Sequence, residues 1–110
     1  MTREMRARKF TAYNAVCFHA QQCIEKYLKA ILILEKVVPP RTHDLIELNQ
    51  LLENTGVFTG FCREELRLLS VGAVIFRYPG ESADKELAKD AVKTCRKLRK
   101  RLLSELEKVD

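Results

Sequence analysis

The sequence predicts an all-α protein, an up-and-down bundle of four or five helices that forms one domain over residues 1–110. Two observations support this fold class. Leucine, lysine and glutamate are abundant, while three prolines and four glycines leave few positions for hairpin turns. Apolar residues also recur every three or four positions over long stretches, which is the pattern of helices with one buried face.

The first long helix is predicted from about Thr11 to Val38, because Pro39 and Pro40 prevent its continuation. The ten residues before it carry few apolar positions and are expected to form at most two or three turns of helix. The apolar stripe of the long helix consists of Val16, Ala20, Ile24, Tyr27, Ile31 and Leu34.

Two shorter helices are predicted to follow. Thr42 is expected to cap the first of them and Gly56 to end it. The second should begin near Phe61 and end before Pro79, with Gly72 allowing a neighbouring helix to approach closely. Its apolar side comprises Cys62, Leu66, Leu69, Ala73 and Phe76.

A last helix is predicted to start at a Ser82 cap and to run toward Val109. Its apolar residues are spaced by three or four positions throughout and therefore form one continuous seam. The seam consists of Leu87, Ala91, Cys95, Leu98, Leu102, Leu106 and Val109.

The net charge of +5 is concentrated near the two ends of the chain, from Arg3 to Lys9 and from Lys93 to Arg101. Such basic segments attract the phosphates of a nucleotide or a nucleic acid. A solvated helix face rich in lysine and arginine is the alternative interpretation.

The four cysteines, Cys17, Cys23, Cys62 and Cys95, lack the paired spacing of a zinc site, so buried thiols are expected rather than a bound metal. The longest apolar run, from Ala30 to Leu34, is too short for a membrane span. These features predict a cytoplasmic protein with no membrane contact and no cofactor.

A line of polar residues, His19, Gln22, Lys26 and Lys29, borders the apolar stripe of the first long helix within an arc of about 80°. Their imidazole, amide and ammonium groups offer hydrogen-bond donors that suit phosphate oxygens. Alternatively, their long side chains cover the rim of the bundle while the polar ends reach water.

Three segments, in this order along the chain, resemble the HEPN domain family: AYNAVCFHAQQCIEKYLKAIL, THDLIELNQLL and FRYPGES. The resemblance covers residues 12–107 and implies a bundle of four or five helices that is usually dimeric and has a nucleotide-related role. Many stand-alone HEPN proteins are similar to the partner of a minimal nucleotidyltransferase in toxin–antitoxin pairs.

Other branches of that family are metal-independent RNases, whose motif is an arginine followed, after four to six residues, by a histidine. Neither His19 nor His43 has an arginine at that distance. The nearest imitation, Lys36 with His43, lies across the Pro-Pro turn, and lysine is a poor substitute for a guanidinium that grips phosphate. A composite catalytic site would need folding to assemble His19, His43 and Arg77. We therefore favour a role other than that of an enzyme.

Three functions are open at this level. The leading hypothesis is a homodimeric nucleotide- or RNA-binding component of a toxin–antitoxin-like pair with a nucleotidyltransferase. The alternatives are a metal-independent endoribonuclease toxin with an atypical site and a structural helical adaptor. The predicted nucleotide- or phosphate-binding residues are His19, Gln22, Lys26, Lys29, His43, Arg77 and Tyr78.

Overall fold

The computed structural model describes the backbone of residues 3–77 and 83–108, and the side chains of residues 12–75 and 83–108. In these ranges the chain forms four helices and no strand, which confirms the predicted all-α bundle. The helices are α1 (Arg3–Leu34), α2 (Leu45–Asn54), α3 (Arg63–Arg77) and α4 (Lys85–Glu107).

Helix α1 differs from the prediction at both ends, because it is already continuous from Arg3 and stops at Leu34 instead of Val38. The early stop is produced by Lys36, whose φ of 64° is left-handed. The backbone N–H of Val37 donates to the carbonyl of Leu32, and that of Lys36 donates to the carbonyl of Ile33, both at 2.9 Å. This pair of bonds is the Schellman motif, so the helix is closed before the prolines are reached.

Replacing Lys36 with glycine is expected to raise the free energy of unfolding by about 1 kcal/mol, because a left-handed backbone is strained for any residue with a Cβ. Urea denaturation followed by far-UV circular dichroism measures the change. Glu35→Gly is the matched control, since Glu35 has a negative φ and gains nothing from glycine. If the free energy of unfolding rose in both variants, or in neither, the assignment of strain to Lys36 would be wrong.

Aspartates cap both α2 and α4. The carboxylate of Asp44 accepts hydrogen bonds from the backbone N–H groups of Ile46 and Glu47. The predicted cap, Thr42, instead accepts from the N–H of Asp44 and so orients the true cap. Asp84, and not the predicted Ser82, caps α4 by accepting from the N–H of Leu87 at 2.8 Å, because the helix begins at Lys85.

Helix α3 runs opposite to both α1 and α4, so α1 and α4 run parallel to each other. These two helices also lie side by side. At one end, Tyr13 borders the same depression as Lys85, and the side chain of Asn14 accepts from the N–H of Ala83. At the other end, Ala30 borders a depression with Leu106. The surface between α1 and α4 therefore extends along most of the bundle.

Helices α1 and α3 meet at Gly72, as predicted. A Cβ at this position would overlap the carbonyl group of Cys17. Glycine is therefore required here by the closeness of the two backbones and not by its own conformation.

The core contains the predicted seam of α4 and the inward faces of the other helices. None of the helices described is both long and apolar enough to cross a membrane. The predicted cap Ser82 and the predicted apolar residues Phe76 and Val109 fall outside the described side chains. The largest fully buried apolar side chains are Ile24, Leu28, Leu32, Leu45, Leu48, Leu52, Leu66, Leu69, Leu98 and Leu102.

Candidate functional site

The line of polar residues predicted along one edge of α1 divides between two sides of the helix. His19 and Lys26 border depressions between α1 and α4. Lys29 instead forms an ion pair with Glu25, with 3.3 Å between Nζ and Oε2, on the side that faces the start of α2. Gln22 is hydrogen bonded on that side as well.

A polar cluster of Gln21, Gln22, Glu25, Lys29 and His43 joins α1 to the segment before α2. The Gln21 amide donates to the Glu25 carboxylate at 2.9 Å and to the backbone carbonyl of His43 at 3.2 Å. Nδ1 of His43 lies 2.8 Å from the same carboxylate. Gln21 and Glu25 are only 0% and 5% exposed, so these bonds form in a largely dry environment.

Glu25 is the centre of this cluster. Burial tends to raise the pKa of its carboxyl group, but hydrogen bonds from Gln21, His43 and Lys29 and the charge of Lys29 outweigh burial and lower the pKa below 4.5. The carboxylate is therefore ionised at neutral pH and already surrounded by donors. The polar cluster stabilises the chain reversal between α1 and α2. It is poorly suited to binding phosphate, because a second anion would be repelled by the charge of Glu25.

The α1–α4 groove is the surface channel between the two parallel helices. It consists of two adjoining sections of about 360 and 530 Å³ that share Val16, Val92 and Arg96. Its lining is predominantly apolar, and His19 lies on the side formed by α1. The apolar lining residues are Tyr13, Ala15, Val16, Ala20, Ala88, Val92 and Cys95.

A strip of basic residues lies along the side of this groove that α4 forms. Its six exposed cations fall within an arc of about 120° on the helix. None of them forms an ion pair with a residue that the structure describes. The basic strip consists of Lys85, Lys89, Lys93, Arg96, Arg99 and Lys100.

Other cations of α4 are neutralised. Nζ of Lys97 lies 2.7 Å from the carboxylate of Glu65 on α3. Arg101 forms an ion pair of 2.6 Å with Glu105 one turn later. Helix α4 therefore has one electrically compensated side and one side on which positive charge is left to attract an external anion.

The structure does not bring the two histidines together. His19 stands at the α1–α4 groove, with its ring 5.6 Å from that of Phe18. His43 is bound to Glu25, which projects from α1 about 120° away from His19. The remaining candidates, Arg77 and Tyr78, lie outside the described side chains.

Sequence reasoning missed two features of the site. The buried pair Gln21 and Glu25 is not among the predicted site residues, although the four-residue steps from Gln21 through Glu25 to Lys29 place all three on one helix face. The cations of α4 are predicted only as a dense basic segment. Their spacing also had a helical period, visible at positions 85, 89, 93, 96 and 100.

The fold and the groove define this chain as a small helical-bundle protein with a basic channel between two parallel helices. A family model described as the HEPN domain matches residues 4–106. The chain belongs to the HEPN domain family, and the resemblance seen in its three sequence segments is confirmed. No curated protein and no solved structure matches it.

Proposed function

We propose that this HEPN protein is a nucleotide- or RNA-binding component that holds phosphates along the basic strip. The observation that supports this most is the set of six exposed cations beside an apolar groove, none of which forms an ion pair with a residue in the described part of the chain. Lysine and arginine side chains neutralise phosphates, and arginine can bind two phosphate oxygens at once. His19 and Lys26 contribute further donors from the α1 side.

The shape of the surface favours a chain of nucleotides over a single one. The basic strip spans about 22 Å from Lys85 to Lys100 at the rise of an α-helix, which is longer than one nucleotide. The apolar groove beside it has Tyr13 in its lining, against which a base can stack. Phosphates on the basic strip and bases in the α1–α4 groove would use both parts of the surface.

The proposal includes a nucleotidyltransferase partner in a toxin–antitoxin-like pair, and self-association as a homodimer. Membership of the HEPN family supports the pairing. Exposed apolar side chains near the end of α1 and in the segment that follows it support a protein contact, since Ile33 and Val38 are 61% and 89% exposed. Co-expression with a minimal nucleotidyltransferase and light scattering of the purified protein test these two points separately.

The double variant Arg96→Ala/Arg99→Ala is expected to bind a short single-stranded RNA about tenfold more weakly than the wild type. Because two phosphate contacts are lost, the plot of log affinity against log salt concentration should also become less steep, by about 1.4 in the magnitude of its slope. Fluorescence anisotropy across a salt series measures both quantities. ATP, titrated in parallel, distinguishes binding of a mononucleotide from binding of RNA.

Arg63→Ala/Arg67→Ala is the matched control, because it removes two exposed arginines from one face of α3. If the two double variants lost RNA affinity equally, net charge alone would explain binding, and the assignment of the basic strip as the binding site would be wrong. Cleavage of the RNA during metal-free incubation would favour the ribonuclease alternative. Tight association with a protein in the absence of any RNA or nucleotide affinity would favour the adaptor.

A further inference from the structure

Two thiols face each other across the parallel pair of helices. Cys95 of α4 borders the same depression as Ala20 of α1, which lies one turn before Cys23, and the Cys23 thiol is close enough to act on the pKa of Cys95. Both are free cysteines that are partly buried. Neither takes part in the polar cluster or in the basic strip. The contact joins two helices that are far apart in the sequence.

Small residues at this seam let the helices approach closely. Ala20 of α1 and Ala88 of α4 line the α1–α4 groove and are both buried. Both cysteines border the surface, since Cys95 lines the α1–α4 groove, Cys23 lines the next depression along the same seam, and neither is fully buried. A small oxidant can therefore reach both thiols while the bundle stays folded.

We propose that Cys23 and Cys95 form a redox-responsive pair that a low-molecular-weight disulfide, such as oxidised glutathione, converts into a disulfide bridge between α1 and α4. The bridge does not depend on the proposed binding function, although Cys95 also lines the α1–α4 groove. It rests on the facing positions of the two thiols and on their access to solvent.

The reaction is a double thiol–disulfide exchange. Cys23, as the thiolate, attacks one sulfur of the oxidant, forms a mixed disulfide and expels the first small thiolate. Cys95 then loses its proton, attacks the Cys23 sulfur of the mixed disulfide and expels the second small thiolate. Two protein thiols are oxidised, one external disulfide is reduced to two thiols, and the protons pass to the released thiolates.

The environment of Cys95 suits it to the second step. Burial and the adjacent Cys23 thiol raise the pKa of Cys95 to about 11, although Arg99 and Arg96 oppose this. Cys95 therefore stays protonated at neutral pH and does not compete for the first attack. Reaction of Cys23 with the oxidant removes its titratable proton, and with it one of the interactions that raise the pKa of Cys95.

The experiment treats the purified full chain with a glutathione redox buffer and measures its intact mass in denaturant. The expected product is a monomer lighter by about 2 Da, the mass of the two hydrogens lost on forming one disulfide. Trypsin then releases Cys95 in the short peptide TCR, linked to the peptide from Phe10 to Lys26. The bridged protein should also melt at least about 5 °C higher than the reduced protein.

Variants identify the partner cysteine, because the longer peptide contains both Cys17 and Cys23. The bridge should persist in Cys17→Ala and in Cys62→Ser, and should be lost in Cys23→Ala and in Cys95→Ala. If a cysteine variant fails to fold, fragment-ion sequencing of the linked wild-type peptides distinguishes Cys17 from Cys23, because backbone cleavage between the two shows which one carries the short peptide.

Four outcomes would overturn the proposal: retention of four free thiols, glutathione adducts without a bridge, a bridge that requires Cys17, or covalent dimers only. Each of these is distinguished by intact mass or by the linked peptide. RNA affinity of the reduced protein is measured separately, so failure of the redox pair leaves the binding proposal open to its own test.

Discussion

Replacing Gly72 with alanine is expected to lower the free energy of unfolding by about 3 kcal/mol, even though alanine is the better helix former by about 1 kcal/mol. The added Cβ would overlap the backbone carbonyl of Cys17. Backbone atoms cannot turn aside as a flexible side chain can, so α1 and α3 would have to separate and loosen the core between them. Urea denaturation at neutral pH measures the loss.

Ala73→Gly is the matched control, because it exchanges the same two residue types at the next position of α3. It removes helix propensity together with one half-buried methyl group and should cost about 1–2 kcal/mol. If Gly72→Ala were as stable as the wild type, the two helices would have to lie farther apart than the structure describes.

Replacing Glu25 with alanine is expected to lower the free energy of unfolding by about 3 kcal/mol. The carboxylate accepts hydrogen bonds from Gln21, Lys29 and His43. Its removal leaves the fully buried Gln21 amide with one hydrogen-bond partner fewer. It also removes the contact with His43 that holds the segment before α2 against α1. The same urea measurement tests this, with the exposed Glu47→Ala expected to change the free energy of unfolding by less than about 0.5 kcal/mol.

The contribution of Glu25 is also expected to depend on pH. Its pKa is lower in the folded protein than the ordinary value of 4.5, so the unfolded chain binds the proton more tightly. The stabilisation is fully present above pH 4.5 and is lost as the pH falls through the lowered pKa. The difference in free energy of unfolding between the wild type and Glu25→Gln should therefore narrow under acid conditions. A difference that is constant from neutral to acid pH would contradict this role.

Local patterns predicted the helices well where one strong signal dominated. The regular seam of α4 and the glycine at position 56 identified elements that the structure contains. The end of α1 was misplaced because it depends on a lysine adopting a left-handed conformation, which no propensity favours. The cap of α2 was assigned to Thr42 and not to Asp44, because two good capping residues lie close together and only the backbone geometry separates them.

The candidate site was predicted less well, because its parts meet through folding. Helical periodicity placed His19 and Lys29 near one edge of α1, but which neighbour each would face depends on where α2 and α4 pack. The hydrogen bond between Glu25 and His43 and the contact between Cys23 and Cys95 both cross between elements. No spacing along the chain encodes contacts of this kind.

The parallel pairing of α1 with α4 has a consequence for assembly. The polar cluster joins residues close together in sequence, so the reversal between α1 and α2 can form early with little loss of chain entropy. The α1–α4 groove, in contrast, is built from the first and the last helix. We therefore expect a partly folded chain to form the contacts between α1 and α2 before it forms the α1–α4 groove. The proposed affinity for RNA would then appear only at the final stage of folding.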